Sequence, residues 1–174
     1  GKPDFATANY VPKTVTVYRN ISTSNSINFT LQATLNCGAS PAKLAAGDFD
    51  GDGKSDIVLG YYDTNNYISL YRNVSTSGTI NFNTSAQNIS NGSLNGTERP
   101  AVGDLDGDGK LDIVSANTNS TNNINNNITI YRNTSPTSGT FSFVTTVVGL
   151  PAGATNARSV ALGDLNGDNK LDIV

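Results

Sequence analysis

The sequence predicts an all-β protein made of β-propeller blades, with about four antiparallel strands in each blade. Three observations predict this fold: an acidic motif recurs at intervals of 56 and 60 residues, short apolar runs alternate with polar residues, and the connections are rich in Asn, Gly and Ser. Propellers typically contain about 4–8 blades. The 174 residues hold about three blade-equivalents, so we expect an incomplete propeller.

The first and second strands of each blade flank the acidic motif. The motif reads GDFDGDGKSDIV at 47–58, GDLDGDGKLDIV at 103–114 and GDLNGDNKLDIV at 163–174. Small apolar residues that precede the motif predict the first strand, and its Asp-Ile-Val ending starts the second strand. The opening GKPDF matches the end of the motif, so Asp4 takes the place that Asp56 has in the next copy.

The third strand of each blade ends in Tyr-Arg-Asn, and the fourth strand contains a Phe. Tyr-Arg-Asn occurs at 18–20, 71–73 and 131–133, each time after alternating apolar residues. We expect the Tyr and Arg of this triplet to pack between blades. The Asn-rich segment 117–127 separates the second and third strands of one blade, and we interpret it as a loop insertion.

These strands divide the chain into units of one propeller. Within 1–174 we predict a partial blade at 1–40, blades at 41–97 and 98–156, and the start of another blade at 157–174. A four-stranded blade has two apolar faces, and neighbouring blades must cover them. The remaining blades of the same chain, or those of neighbouring chains, are therefore expected partners. The sequence has no Met and both ends fall inside the repeated motif, so we expect a segment of a longer chain.

Composition excludes several classes of function. No run of about 18 apolar residues is present, so this segment predicts no membrane span. The formal net charge is −3 and no cluster of Lys and Arg occurs, which argues against a nucleic-acid partner. Because the sequence has no His and one Cys, His-based catalysis, His-ligated metal sites and an internal disulfide are excluded.

The acidic motif, D-x-[DN]-x-D-[GN]-K-x-D, carries the chemistry. Positions 1, 3, 5 and 9 have oxygen side chains, the backbone carbonyl at position 7 can point inward, and Ca²⁺ takes about 6–8 oxygen ligands. Position 6 is Gly53, Gly109 or Asn169, residue types that tolerate a left-handed backbone. Two carboxylates about 5 Å apart repel by roughly 3 kcal/mol at an effective dielectric near 20. The predicted metal ligands are Asp48, Asp50, Asp52, Lys54 and Asp56 in the first turn; Asp104, Asp106, Asp108, Lys110 and Asp112 in the second; Asp164, Asn166, Asp168, Lys170 and Asp172 in the third; and Asp4 in a possible partial site.

The alternatives to about three calcium sites differ in how well they fit. An acidic, solvated turn without an ion is the simplest of them. Magnesium demands stricter octahedral geometry, and zinc and copper prefer the His or thiolate ligands that the motif lacks. An EF-hand needs flanking helices and a Glu at position 12, where the first two copies have Leu59 and Ser115. Dockerin modules repeat a similar loop at a shorter interval and follow it with helices.

The stretches GDFDGDGKSDIVLG and GDLDGDGKLDIVSAN resemble the FG-GAP/VCBS family, the calcium-binding blade repeats of integrin α-subunit propellers and of many bacterial surface proteins. The resemblance covers essentially the whole chain. It implies a β-propeller with calcium in the hairpin between the first two strands of each blade, bound by the residues given above. The Phe-Gly-Gly-Ala-Pro element that names the family is poorly kept, so the bacterial VCBS-like branch is the better match.

The resemblance implies a calcium-stabilised, non-catalytic propeller of a secreted or cell-surface protein that serves adhesion or recognises a glycan or protein ligand. One alternative is a propeller module of a secreted polysaccharide-active enzyme, and another is a docking subunit of a surface assembly. Nearly every carboxylate belongs to a turn, so no acidic pair is free for glycoside hydrolysis. Five residues are candidates to line a carbohydrate pocket, although packing and loop roles explain them more simply: Tyr61, Tyr62, Tyr67, Arg99 and Arg158.

Overall fold

The computed structural model describes residues 2–62, 65–92, 96–97, 99–118, 127–136, 138–151, 153–154 and 157–174. All regular secondary structure in these residues is β, and no helix occurs among them. The described residues form fourteen strands. They are β1 (Phe5–Asn9), β2 (Thr14–Asn20), β3 (Phe29–Asn36), β4 (Pro41–Gly47), β5 (Asp56–Tyr61), β6 (Tyr67–Tyr71), β7 (Gln87–Ser90), β8 (Gly96–Thr97), β9 (Ala101–Gly103), β10 (Asp112–Thr118), β11 (Asn127–Asn133), β12 (Phe143–Gly149), β13 (Leu162–Gly163) and β14 (Asp172–Ile173).

The strands form four antiparallel sheets that follow each other along the chain. Sheet 1 has the order β1-β2-β3 and sheet 2 the order β4-β5-β6-β7. Sheet 3 has the order β12-β11-β10-β8, with β9 also paired to β10, and sheet 4 is the hairpin β13-β14. Apart from β8, which pairs with β10, each strand pairs with a neighbour in sequence, and the described sheets do not close into a barrel. This architecture confirms the prediction of an all-β, incomplete propeller.

The strand pairing differs from the predicted division into blades at one boundary. Gly96–Thr97 pair with Asn117 and Thr118 in sheet 3, although the sequence division placed them in the preceding blade. The blade limits themselves stay a prediction. Of the predicted loop insertion, residues 119–126 lie outside the described residues, while Asn117 and Asn127 pair at the ends of β10 and β11.

The central sheet is buried on both faces because its side chains alternate. On β5, Ile57 packs toward sheet 1 with Val15 and Leu35, whereas Val58 packs toward sheet 3 with Ile113. The same period of two places Tyr71 in the first cluster and Leu70 in the second, its neighbour on β6. A third cluster joins sheet 3 to the segment before β13. Each sheet is therefore held by the apolar faces of its neighbours.

Close approach between sheets explains the glycine that opens the acidic motif. A Cβ on Gly47 would lie 2.6 Å from Leu111 Cδ1, which belongs to the next unit. A Cβ on Gly103 would likewise lie 2.6 Å from Leu171 Cδ1. The Leu at position 8 of one motif thus packs onto the backbone of the preceding motif, and a side chain in place of the glycine would force that Leu to shift.

The aromatic residues confirm part of the expectation for the Tyr-Arg-Asn triplet. Tyr71 is buried between sheets 1 and 2, and Tyr131 is buried between sheets 2 and 3. Their counterpart Tyr18 lies on the outer face of sheet 1, where it stacks on Phe5 with ring centroids 4.7 Å apart. Phe29 meets Phe5 edge-on at the same distance of 4.7 Å, and both Phe rings are exposed. One face of sheet 1 is therefore an exposed aromatic surface.

Candidate metal centre

All three acidic turns are shaped by the carboxylate at position 1. Asp48 accepts hydrogen bonds from the backbone N–H groups of Gly51 at 2.8 Å, Asp52 at 3.1 Å and Gly53 at 2.8 Å. These bonds lie within six residues, so the turn forms from local sequence. The same bonds recur in the other copies: Asp104 accepts from Gly107 and Gly109, and Asp164 accepts from Gly167, Asp168 and Asn169.

Position 6 takes the left-handed conformation that the sequence predicts. The φ angles are +83° at Gly53, +85° at Gly109 and +63° at Asn169. Asn is among the few residues with a Cβ that enter this region at low cost. The third turn therefore keeps the backbone of the other two despite its different residue.

The Asp at position 9 joins each of the first two turns to the end of the third strand of its own sheet. Asp56 accepts the backbone N–H of Phe49 on one oxygen at 3.1 Å and that of Asn73 on the other at 2.8 Å. Asp112 makes the equivalent bonds, from Leu105 at 2.9 Å and Asn133 at 2.8 Å. A carboxylate has about four lone-pair sites, so two remain for a cation.

An arginine from the Tyr-Arg-Asn triplet reaches positions 3 and 5 of the same turn. Arg72 Nε lies 2.6 Å from Asp50 Oδ2, and its Nη2 lies 3.3 Å from Asp52 Oδ2. In the next unit Arg132 Nε lies 2.5 Å from Asp106 Oδ2, and Nη2 lies 4.0 Å from Asp108. The arginines were expected to pack between blades. Arg72 does lie beside the next sheet, but its main partners are carboxylates of its own turn.

In the part of the chain that the structure describes, two groups of carboxylates converge closely enough to hold a metal ion. In the first turn Asp48, Asp50 and Asp56 each place a ligand atom within 4.8 Å of the others. In the second turn the same holds for Asp104, Asp106 and Asp108. The full predicted ligand sets, including the Lys carbonyls and the partial site at Asp4, stay a prediction.

The chain matches one family model three times, at residues 1–59, 48–115 and 104–174, and that model describes the FG-GAP-like repeat. The chain belongs to the FG-GAP-like repeat family. Its repeats are generally structural, non-catalytic modules of propeller or adhesion type and are typical of extracellular proteins. None of the curated proteins matches the chain. The part of the chain that is described contains no helix with the length and apolarity of a membrane span.

Of the three FG-GAP turns, the first is the one in which burial disfavours negative charge most. Asp50 is 3% exposed and Asp56 is 0% exposed. Burial raises the pKa of Asp56 to about 6; the backbone N–H donors of Asn73 and Phe49 oppose this rise, and the carboxylates of Asp50 and Asp52 add to it. The charged form of Asp56 is therefore less favourable here than it would be in water.

The other FG-GAP turns are more exposed, and their pKa shifts have the opposite sign. A hydrogen bond from Arg132 lowers the pKa of Asp106. Backbone N–H groups of Asn169 and Gly167 lower the pKa of Asp164. Hydrogen bonds to the charged form stabilise these carboxylates where they stand.

The Asn of the triplet has a structural role that the sequence analysis missed. Asn73 Nδ2 donates to the carbonyl of Ser55 at 2.8 Å, and its Oδ1 accepts the N–H of Ser75 at 2.9 Å. Asn20 and Asn133 make the corresponding bonds in their own units. The Asn of the triplet recurs at a fixed position relative to the acidic motif, and this recurrence could have revealed its structural role.

The candidate carbohydrate residues separate into core and surface. Tyr61 is buried and donates its OH to Ser69 Oγ at 2.7 Å, and Tyr67 packs edge-on against it at 5.5 Å. Tyr62 is exposed and meets Tyr10 edge-on at 5.5 Å. Arg99 Nη2 lies 3.5 Å from the Tyr62 hydroxyl, so these two are brought together, and Arg158 is exposed in the segment before β13.

A cavity of about 460 Å³ lies between sheets 1 and 2. Its apolar lining includes Val17 and Ile57, and its polar lining includes Arg19 and Ser55. Ser55 stands at position 8, where the other FG-GAP turns have the Leu that packs on the preceding sheet. The smaller side chain leaves this junction more open than the next one.

Proposed function

We propose that the acidic turns of this FG-GAP chain bind Ca²⁺ and that the ion is structural. The observation that carries the proposal is the convergence of Asp48, Asp50 and Asp56 within 4.8 Å, two of them buried. Buried carboxylates this close repel strongly unless a cation neutralises them. A bound Ca²⁺ supplies that neutralisation and ties the hairpin between the first two strands to the third.

The donor set fits calcium better than other metals. Every side chain at positions 1, 3, 5 and 9 presents oxygen, and the described residues that form the turns include no His or thiolate. The ion would be held by the predicted set of each turn together with the carbonyl at position 7. For the first turn these ligands are Asp48, Asp50, Asp52, Lys54 and Asp56.

We place the whole module outside the cell, as a non-catalytic propeller that serves adhesion or recognition. Extracellular calcium modules bind at about 10⁻⁴–10⁻³ M, which suits a calcium-rich exterior. The family match supports this assignment, because FG-GAP repeats are typical of extracellular proteins. The exposed pair Tyr10 and Tyr62, with Arg99 beside it, favours a glycan ligand, since aromatic rings and a guanidinium offer stacking and hydrogen bonds. A module attached to a polysaccharide-active enzyme would use the same surface.

The exposed aromatic face of sheet 1 supports a further blade as a partner. Phe5, Tyr18 and Phe29 occupy the same repeat positions as Ile57, Tyr71 and Phe82 of the next unit. Those three residues of the next unit are buried against sheet 1. In the chain's own junctions the equivalent face packs against the Val- and Leu-rich face of the neighbouring sheet, which supports another FG-GAP blade as the partner.

The calcium proposal is tested by Asp52→Asn and Asp108→Asn, each of which removes one ligand charge. We expect each variant to reduce the rise in melting temperature that calcium produces and to change the chelated protein little. At free calcium about fifty times Kd, one site contributes about 2 kcal/mol, or roughly 5 °C for a chain of this size. Thermal unfolding followed by circular dichroism, in EDTA and in calcium, measures this.

Asp63→Asn is the matched control, because it removes the same charge outside the three motifs. It should leave the calcium-dependent rise unchanged. Equal losses with and without calcium in Asp52→Asn would contradict a metal role for the turn. Isothermal titration with calcium alone that shows no binding to the wild type would contradict the proposal as a whole.

A further inference from the structure

The first acidic turn already holds a cation of its own. The Arg72 guanidinium bridges Asp50 and Asp52 at 2.6 and 3.3 Å. The Asp50 side chain is fully buried, and the Arg72 side chain is 29% exposed. The same bridge recurs one unit later between Arg132 and the pair Asp106 and Asp108. Repetition in two units shows that the contact belongs to the repeat and is not an accident of packing.

The arginine of the first triplet contacts the backbone of the next unit. Arg19 occupies the same repeat position as Arg72, and its Nη1 donates to the carbonyl of Gly78 at 2.6 Å. Gly78 belongs to the hairpin that follows β6, in the next unit. Arg19 therefore contacts the next unit, whereas the carboxylate bridges of Arg72 and Arg132 lie within their own units.

We propose that Arg72 and Arg132 are internal counter-cations, which hold the acidic turns folded at low calcium and compete with Ca²⁺ for them. This inference rests on the proposed function. The guanidinium uses carboxylate oxygens at positions 3 and 5, two of the positions that would ligate the ion. A divalent ion on the same carboxylates would lie within a few ångströms of the guanidinium and be repelled by it. Without metal, the guanidinium relieves the repulsion between the carboxylates.

The two arginines differ in how firmly they are placed. Gly139, in the hairpin before β12, donates its N–H to the Asp50 oxygen that also binds Arg72, at 3.0 Å. A Cβ at Gly139 would lie 3.0 Å from Arg72 Nη2, so the hairpin packs directly on the guanidinium. The Arg132 side chain is 55% exposed, and its second contact is 4.0 Å long. Solvent screens the second bridge more, so Arg72 should have the larger effect.

The test is a calcium titration of Arg72→Gln, with each turn followed by the NMR signal of its own position-6 amide, Gly53 or Gly109. We expect Arg72→Gln to tighten calcium binding at the first turn by about three- to ten-fold, because one repulsive charge is removed. In EDTA the same variant should melt about 3 °C lower, because the turn has lost its cation. Arg132→Gln should also tighten calcium binding, at the second turn, and lower the melting temperature in EDTA, but both changes should be smaller.

Two further variants separate charge from packing. Arg72→Lys keeps the charge and should retain an affinity close to wild type. Arg19→Gln removes an arginine of the same repeat position that contacts a backbone carbonyl of the next unit, and it should leave the calcium affinity of both turns unchanged. Weaker or equal calcium binding in Arg72→Gln would overturn the inference while the calcium proposal stands. A wild type that binds no calcium would overturn both.

Discussion

The acidic turns at 48–56 and 164–172 have the same backbone but different surroundings. In both, the position-1 carboxylate accepts three N–H groups and position 6 has a positive φ. The first turn lies between sheets 2 and 3, with Asp50 and Asp56 buried. The third is exposed from Asp164 to Lys170.

This difference in burial shows that the shape of the turn and its need for a cation have separate causes. Hydrogen bonds between a side chain and nearby backbone shape it, and these are present in both environments. The need for a cation is set by burial, because the free energy of an uncompensated carboxylate rises as water is removed. The third turn also carries Asn166 at position 3, where the first has Asp50, so it holds one charge fewer.

The largest difference is expected when the position-9 Asp is removed from each turn. Asp56→Ala leaves the N–H groups of Phe49 and Asn73 without their acceptors in a buried place, and should lower the free energy of unfolding by about 3 kcal/mol. Asp172→Ala removes the acceptor of Leu165 in an exposed turn and should lower it by about 1 kcal/mol. Urea unfolding in EDTA measures both.

Asp56→Asn refines this comparison, because the amide keeps one acceptor oxygen and removes the buried charge. It should lose less stability than Asp56→Ala in EDTA and lose most of the calcium-dependent stability. Equal losses for Asp56→Ala and Asp172→Ala would show that burial does not distinguish the two turns.

The shape of the turns was predictable from sequence, whereas their charge compensation was not. The six residues from Asp48 to Gly53 contain every donor and acceptor that the turn needs. The conformation of the turn could therefore be predicted from this short segment alone. The bridge from Arg72 to Asp50 spans 22 residues, and it depends on the register of β5 against β6, which places Ile57 opposite Tyr71. The register in which two strands pair cannot be predicted from a single sequence motif.

The sheet order was likewise predictable from the repeat, but particular junctions were not. Four strands per motif interval predicted a four-stranded sheet, as β4-β5-β6-β7 is. The predicted fourth strand was wrong in this unit, because β7 runs from Gln87 to Ser90 and Phe82 forms only an isolated bridge with Asn73. The pairing of Gly96–Thr97 with the far end of β10 was missed, because two residues carry no periodic pattern. The close approach of Leu111 to Gly47 was missed because it joins neighbouring units across the sheet faces.

A smaller effect is expected from exchanging the position-6 residues. Gly53 has φ +83° and open space around its missing Cβ, so Gly53→Ala should lose about 1–2 kcal/mol through backbone strain alone. Gly53→Asn copies the third turn and should lose only a few tenths of a kcal/mol. Urea unfolding in EDTA and in calcium should give the same difference. A loss from Asn as large as that from Ala would mean that the two backbones are not equivalent.

The smallest effect is expected from Asn166→Asp, which gives the third turn the charge that the first turn has at position 3. Because Asn166 is exposed, water screens the added charge, and the stability of the chelated protein should change little. Calcium binding to this turn should tighten by roughly three-fold, since the ion gains a charged ligand in place of a neutral one. The signal of the Asn169 amide during a calcium titration measures this affinity, and Ser159→Asp, five residues before the motif, controls for added charge alone. If both variants tighten binding equally, the ion responds to net charge and not to the position-3 ligand.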